Sequence, residues 1–199
     1  MTAVADHIRA ETTPFALHPA LNRPWLCRLL AIDHPLWTPR ELRDLTRTVT
    51  TELGSPLLRV LRFDAEGRWW ERLALTEGVE LWLLSWLPGQ HTEPHDHGGA
   101  SGSFTVLLGE LAESLRYPKA PVQEAVHGLG SSIGFGPGRA HQVRNDGTLP
   151  AASVHAYSPP LVPTRQYRSL NDVPDVIPPL PPHRDFASLT AEPAGSVEP

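Results

Sequence analysis

Beyond residue 55 the chain is a series of short apolar runs. Segments 57–63, 68–76, 79–87, 103–108, 111–117, 123–127, 131–135, 140–145 and 151–157 are rich in Val, Leu, Ile, Phe and Trp, and each is bounded by Gly, Pro, Asn or Asp. Many short strands at regular spacing predict an antiparallel sandwich or small barrel. Upstream the period is helical. Thr38-Pro39-Arg40-Glu41 forms a capping box with proline at the first helical position. Leu42, Leu45, Val49 and Leu53 follow on one face and Gly54 closes the run, so the spacing predicts a helix over 39–53. Leu26, Leu29, Leu30 and Ile32 suggest a shorter helical face ended by Pro35. From Pro159 the periodicity dissolves. Pro178-Pro179-Leu180-Pro181-Pro182 is polyproline-like, and 184–199 is small and polar. The expected organisation is a helical region over 1–55 packed on a barrel at 56–170, with an extended proline-rich tail at 171–199.

Composition narrows the function. The 199 residues carry a net charge of -5, which lacks the basic footprint of a nucleic-acid binder. The longest apolar stretch, around Leu81–Leu87, is too short to span a bilayer. Met1–Phe15 carries Asp6, His7, Arg9 and Glu11 with no apolar core of a secretory signal. Cys27 is the single cysteine, so no internal disulfide can form. These features lead us to expect a cytoplasmic protein with no nucleic-acid or membrane partner; it is also expected to be a monomer.

The candidate chemistry lies in the histidines. In His95-Asp96-His97 the two imidazoles are two residues apart, so on a strand both project from one face. His141 opens another strand candidate. Three neutral imidazoles suit first-row metals such as iron, zinc, copper or nickel. Asp96 faces the other way and reads as a turn residue or a support behind the ligands. His91 reads as solvent-exposed, His127 as a barrel-surface residue, Cys27 as a buried apolar residue, and Trp69, Trp70, Trp82 and Trp86 as packing.

The spacing Gly89-x5-His95-x-His97-x4-Gly102-x6-Gly109, followed by Gly138-x2-His141-x3-Asn145, resembles the two cupin motifs. In that pattern a metal-binding glutamate stands where this chain has Gly102, and Gly136-Pro137-Gly138 displaces the second motif's proline. Trp70-Glu71-Arg72 precedes the first motif and Ser153-Val154-His155-Ala156-Tyr157-Ser158-Pro159-Pro160 follows the second. Together, over about 55–165, these elements resemble cysteine dioxygenase, a thiol dioxygenase within the cupin superfamily.

The resemblance implies a mainly β cupin barrel with N-terminal helices. It implies Fe(II) on His95, His97 and His141, with the substrate cysteine chelating through sulfur and amine and O2 as co-substrate. Arg72 would hold the substrate carboxylate, and the Tyr157 hydroxyl would face substrate and oxygen. Ser153 and His155 would form a hydrogen-bonded relay behind Tyr157. Some family members link the matching tyrosine to a cysteine seven residues after the first metal histidine. Here that position is Gly102, so Tyr157 is expected to remain a free phenol, with open space left beside the metal. The alternatives are a dioxygenase for another small thiol, such as 3-mercaptopropionate, and a cupin that binds metal or ligand without catalysis. Family members preferring 3-mercaptopropionate tend to carry glutamine where Arg72 stands.

Overall fold

In the computed structural model, which describes residues 15–32, 34–160 and 162–181, most of the short apolar segments form strands nearly where the pattern places them. These are β2 (Trp70–Leu75), β3 (Glu80–Trp86), β5 (Ser101–Leu108), β6 (Glu110–Arg116), β7 (Gln123–Gly128), β8 (Ser132–Phe135), β9 (Ala140–Arg144) and β10 (Ala151–Ser158). Three two-residue strands join them: β1 (Ala16–Leu17), β4 (His95–Asp96) and β11 (Arg165–Gln166). All described pairs are antiparallel. They make one sheet in the order β1-β2-β3-β10-β5-β8 and a second in the order β11-β4-β9-β6-β7. Trp82, Leu84 and Trp86 of β3 meet Phe104 and Val106 of β5, Leu111 of β6 and Val143 of β9 in one buried cluster. That cluster is the interior between the sheets, and the fold is the mainly β barrel expected of a cupin. The alternate residues Leu81 and Leu83 face outward, into a second core beneath the helices.

The two helices are α1 (Pro24–Leu30) and α2 (Pro39–Val60). The capping box forms: Thr38 Oγ1 accepts from Glu41 N at 3.3 Å and Glu41 Oε2 accepts from Thr38 N at 2.8 Å. The end of α2 corrects the sequence reading. Gly54 does not close it, and 57–63 does not begin a strand. The helix kinks at Leu53 (φ -120°, ψ 16°), absorbs Pro56, and continues with Leu57 fully buried. Leu57 repeats the four-residue step of Val49 and Leu53, so burying it outweighs the amide hydrogen bond that Pro56 removes. Gly134 lets β8 approach this helix, because a Cβ there would strike the Pro39 carbonyl. Buried Thr46 of α2 is tied to the sheet by Ser103 and Thr105, each 2.9 Å away.

Beyond β11 the chain stays on the barrel. Leu170 and Val173 are buried against Ala140, and Leu180 N donates to Gly98 O at 2.7 Å. The polar segment 184–199 of the expected tail and the N-terminal residues 1–14 lie outside the described residues. No helix among the described residues is long and apolar enough to cross a membrane.

Candidate metal centre

Strand register assembles the three histidines. His95 and His141 are direct partners across the antiparallel β4–β9 pair, so their side chains leave the same face. His97 lies two residues beyond His95, just past the end of β4. Asp96 turns to the other side. There its carboxylate accepts from Gly98 N at 2.6 Å, from the Tyr167 hydroxyl at 2.5 Å and from Arg165 at 3.3 Å. That knot fixes the loop carrying His97. One ligand-capable atom from each of His95, His97 and His141 lies within 4.8 Å of the others, and all three residues are buried. His97 Nε2 and His141 Nε2 stand 3.0 Å apart. His95 Nδ1 is 2.7 Å from the Glu93 carbonyl, which can only accept. The proton therefore sits on Nδ1, and a lone pair on Nε2 turns to the common centre. Burial holds His95 down to about 3, so it is a neutral ligand at physiological pH. Burial first and the other histidines next push His97 well below its ordinary value. Three imidazole nitrogen donors converging in a buried cluster fit a first-row divalent metal.

Gly102 overturns the expectation of open space beside the metal. A Cβ there would lie 2.5 Å from Phe135 Cε2 and 3.0 Å from Tyr157 Cδ1. The Phe135 ring occupies that position and packs on His97 and His141 at centroid distances of 5.4 and 5.3 Å. Gly102 is also the cross-strand partner of Tyr157 in the β5–β10 register.

Along β10 the odd residues face the interior, and they are linked to one another. Trp86 Nε1–H donates to Ser153 Oγ at 2.9 Å. Ser153 Oγ is 2.8 Å from His155 Nε2, and His155 Nδ1 is 3.0 Å from the Tyr157 hydroxyl. The indole can only donate, so Ser153 accepts from it. The serine hydrogen, fully buried, is then best satisfied by His155 Nε2. Burial lowers the His155 pKa to about 3, so the ring is neutral. With Nε2 accepting, its proton is on Nδ1 and points at Tyr157. The phenol hydrogen is thereby directed away from His155. Tyr157 stacks beside His97 with centroids 4.6 Å apart, and burial pushes its ionisation far above the ordinary range. Trp86, read as packing from sequence, thus also heads this chain.

Arg72 on β2 pairs with Trp82 on β3, and its guanidinium carbon lies 5.9 Å from the Trp82 ring centroid, inside the barrel. Only 8% of the residue is exposed, and burial lowers its pKa against the pull of Glu80 and Glu71. Glu80, also buried, faces Tyr157 across the β3–β10 register. A cleft of about 410 Å³ reaches His95 and is lined by Arg68, Gln90, Thr92 and Gln166 among others. His91 lies at this mouth and is exposed, as its loop position suggested. Cys27 is half-buried rather than buried, with its thiol 3.5 Å from Asn22 Oδ1.

The sequence reading missed Glu113 and Arg139 and misplaced His127. His127 is 7% exposed, not a surface residue, and its Nε2 lies 2.9 Å from Glu113 Oε2. Glu113 Oε1 lies 2.6 Å from His141 Nδ1, and Arg139 Nη2 lies 2.5 Å from Glu113 Oε2. Burial alone would raise the Glu113 pKa. The hydrogen bonds from His127 and His141, together with the Arg139 charge, hold it well below the usual carboxylate range. The signal was present: Glu113 occupies the inward position between Leu111 and Leu115 in the β6 alternation, where an apolar residue is expected. Glu80, the first residue of β3, is another buried carboxylate.

Residues 54–169 match the family described as cysteine dioxygenase type I. The chain belongs to that family. This cysteine dioxygenase family member carries its three histidines, Arg72, Tyr157 and the residues around them within the matched span. Among solved structures, part of the chain is similar to a protein of Thermus thermophilus at 27% identity. That match covers 52% of this chain and 93% of the other, with a TM-score of 0.45. A Klebsiella pneumoniae protein described as having a double-stranded β-helix domain is similar at 18% identity over 57% and 89%, with a TM-score of 0.48. No curated protein matches the sequence.

Proposed function

We propose that the protein is an Fe(II) thiol dioxygenase that converts L-cysteine and O2 into cysteine sulfinic acid. The sulfur loses four electrons, O2 gains them, and both oxygen atoms enter the product. The observation that carries this reading is the meeting, within the family-matched span, of a three-histidine centre and a hydroxyl chain ending at Tyr157. His95, His97 and His141 would hold the iron. The chemistry supplied by iron there is electron transfer to O2 and acidification of a thiol.

The remaining work belongs to the chain itself. Arg72 is desolvated beside Trp82, so its planar fork pairs strongly with the substrate carboxylate and selects thiols that carry one. Tyr157 keeps its proton and donates a hydrogen bond toward the reacting groups. Ser153 and His155 hold the phenol in that orientation. Arg72, His155 and Tyr157 are buried, which strengthens each of these contacts.

Oxygen uptake by anaerobically Fe(II)-reconstituted protein, measured across a panel of small thiols, tests the proposal. We expect cysteine to give a sulfinate labelled twice from 18O2. Preference for 3-mercaptopropionate would reassign the substrate. Uptake that yields only disulfide, or none with any thiol, would leave a metal-binding cupin without this catalysis.

A further inference from the structure

We propose that Glu113 is the positioning residue of the metal centre, selecting the tautomer in which His141 presents its Nε2 lone pair. The inference rests on the three-histidine metal site above and extends it one layer outward. Leu115 is the cross-strand partner of His141 in the β6–β9 register, and Glu113 is two residues back on the same face. Its carboxylate therefore sits diagonally behind the imidazole, on the side opposite the convergence point. The residue is fully buried, yet every donor around it is placed. Oε1 takes His141 Nδ1 at 2.6 Å and Arg139 Nε at 3.1 Å. Oε2 takes Arg139 Nη2 at 2.5 Å and His127 Nε2 at 2.9 Å.

Arg139 cannot lose its proton, and its fork occupies both oxygens, so the carboxylate is held as an anion. An anionic carboxylate only accepts. His141 must then carry its proton on Nδ1, which leaves Nε2 bare toward His95 and His97. A hydrogen bond of this kind also raises the basicity of the ring. His127 acts as a brace that fills the fourth acceptor position. The arrangement bears on the position now held by Gly102. With no carboxylate among the ligands, and Phe135 filling that space, the nearest anion to the centre's His141 stands behind the imidazole.

Two measurements test this without thiol or oxygen, so their outcome is separate from that of the proposed reaction. In the metal-free, 15N-histidine-labelled native protein, long-range 1H–15N correlation should show His141 as the Nδ1–H tautomer. A proton on Nε2 would overturn the proposal. In Glu113→Gln, which keeps the shape and loses the charge, the Fe(II) and Co(II) dissociation constants from chelator competition should rise about 10–100-fold. Unchanged affinity in a folded variant would also overturn it. Leu111→Ala, a core truncation on the same strand, should lose stability and keep its affinity. If it weakens metal binding as much as Glu113→Gln does, the effect is general packing and the assignment fails. Should Glu113→Gln not fold, the tautomer in the native protein decides.

Discussion

Replacing Ser153 by alanine probes the buried chain behind Tyr157 most directly. Ser153 is fully buried, as is Trp86, and His155 is 3% exposed. No solvent can substitute for the lost hydroxyl. The variant strands Trp86 Nε1–H and His155 Nε2, which lie 2.9 and 2.8 Å from Ser153 Oγ. Each stranded buried group costs about 1–3 kcal/mol, so the expected loss is about 2–6 kcal/mol. That is a large part of the ~5–15 kcal/mol that holds a typical domain folded. Trp86→Phe in the alanine background removes the stranded indole N–H. The double variant should then be less destabilised than the sum of the singles by about 1–2 kcal/mol, because the indole N–H that Ser153→Ala strands is gone, while the cavity left by the indole is common to both arms of the cycle and cancels. Urea unfolding of the metal-free protein, followed by far-UV circular dichroism with an unchanged slope, gives these differences. A Ser153→Ala loss below about 0.5 kcal/mol, or strict additivity in the cycle, would refute the hydrogen-bonded chain.

Arg72→Ala should cut kcat/KM for cysteine by about 2–3 kcal/mol of transition-state stabilisation, the scale of a charge-assisted hydrogen bond. Cysteamine, which has no carboxylate, should already be poor for the native protein, and equal use of the two thiols would show Arg72 misassigned. Gly102→Ala should destabilise the protein by about 1–3 kcal/mol, because the new methyl drives Phe135 toward His97 and His141; a Tm equal to that of the native protein would mean the space is not filled. The metal-free protein should lose stability as pH falls below about 6.5. His95 and His155 are held to about 3 in the fold, so between those values the unfolded chain binds more protons, at about 1 kcal/mol per pH unit for each. Urea midpoints that stay level from pH 6.5 to 4 would contradict this. After many turnovers, peptide mass mapping should find the Tyr157 peptide unlinked, and a joined peptide lacking two hydrogens would contradict the free phenol.

The barrel strands were readable because each is a short run rich in Val, Leu, Ile, Phe and Trp that ends at a turn former. The pairing of His95 with His97 was readable because residues two apart on a strand share one face. The start of α2 was written in Thr38 and Glu41, which satisfy the helix's own amide groups locally. Its end was not. Whether Pro56 stops the helix depends on what Leu57 can bury against, and that surface is supplied by the distant sheet. The same limit explains the centre. Glu113 and His141 are far apart in sequence, and only the β6–β9 register places one behind the other. Phe135 fills the position opposite Gly102 because β8 pairs with β5, so a missing side chain that read as empty space is occupied from another strand. His127 read as a surface residue because nothing near it in sequence needs a donor, while Glu113, across the β6–β7 sheet, does. Local periodicity determines which way a side chain faces; long-range pairing determines what it meets there.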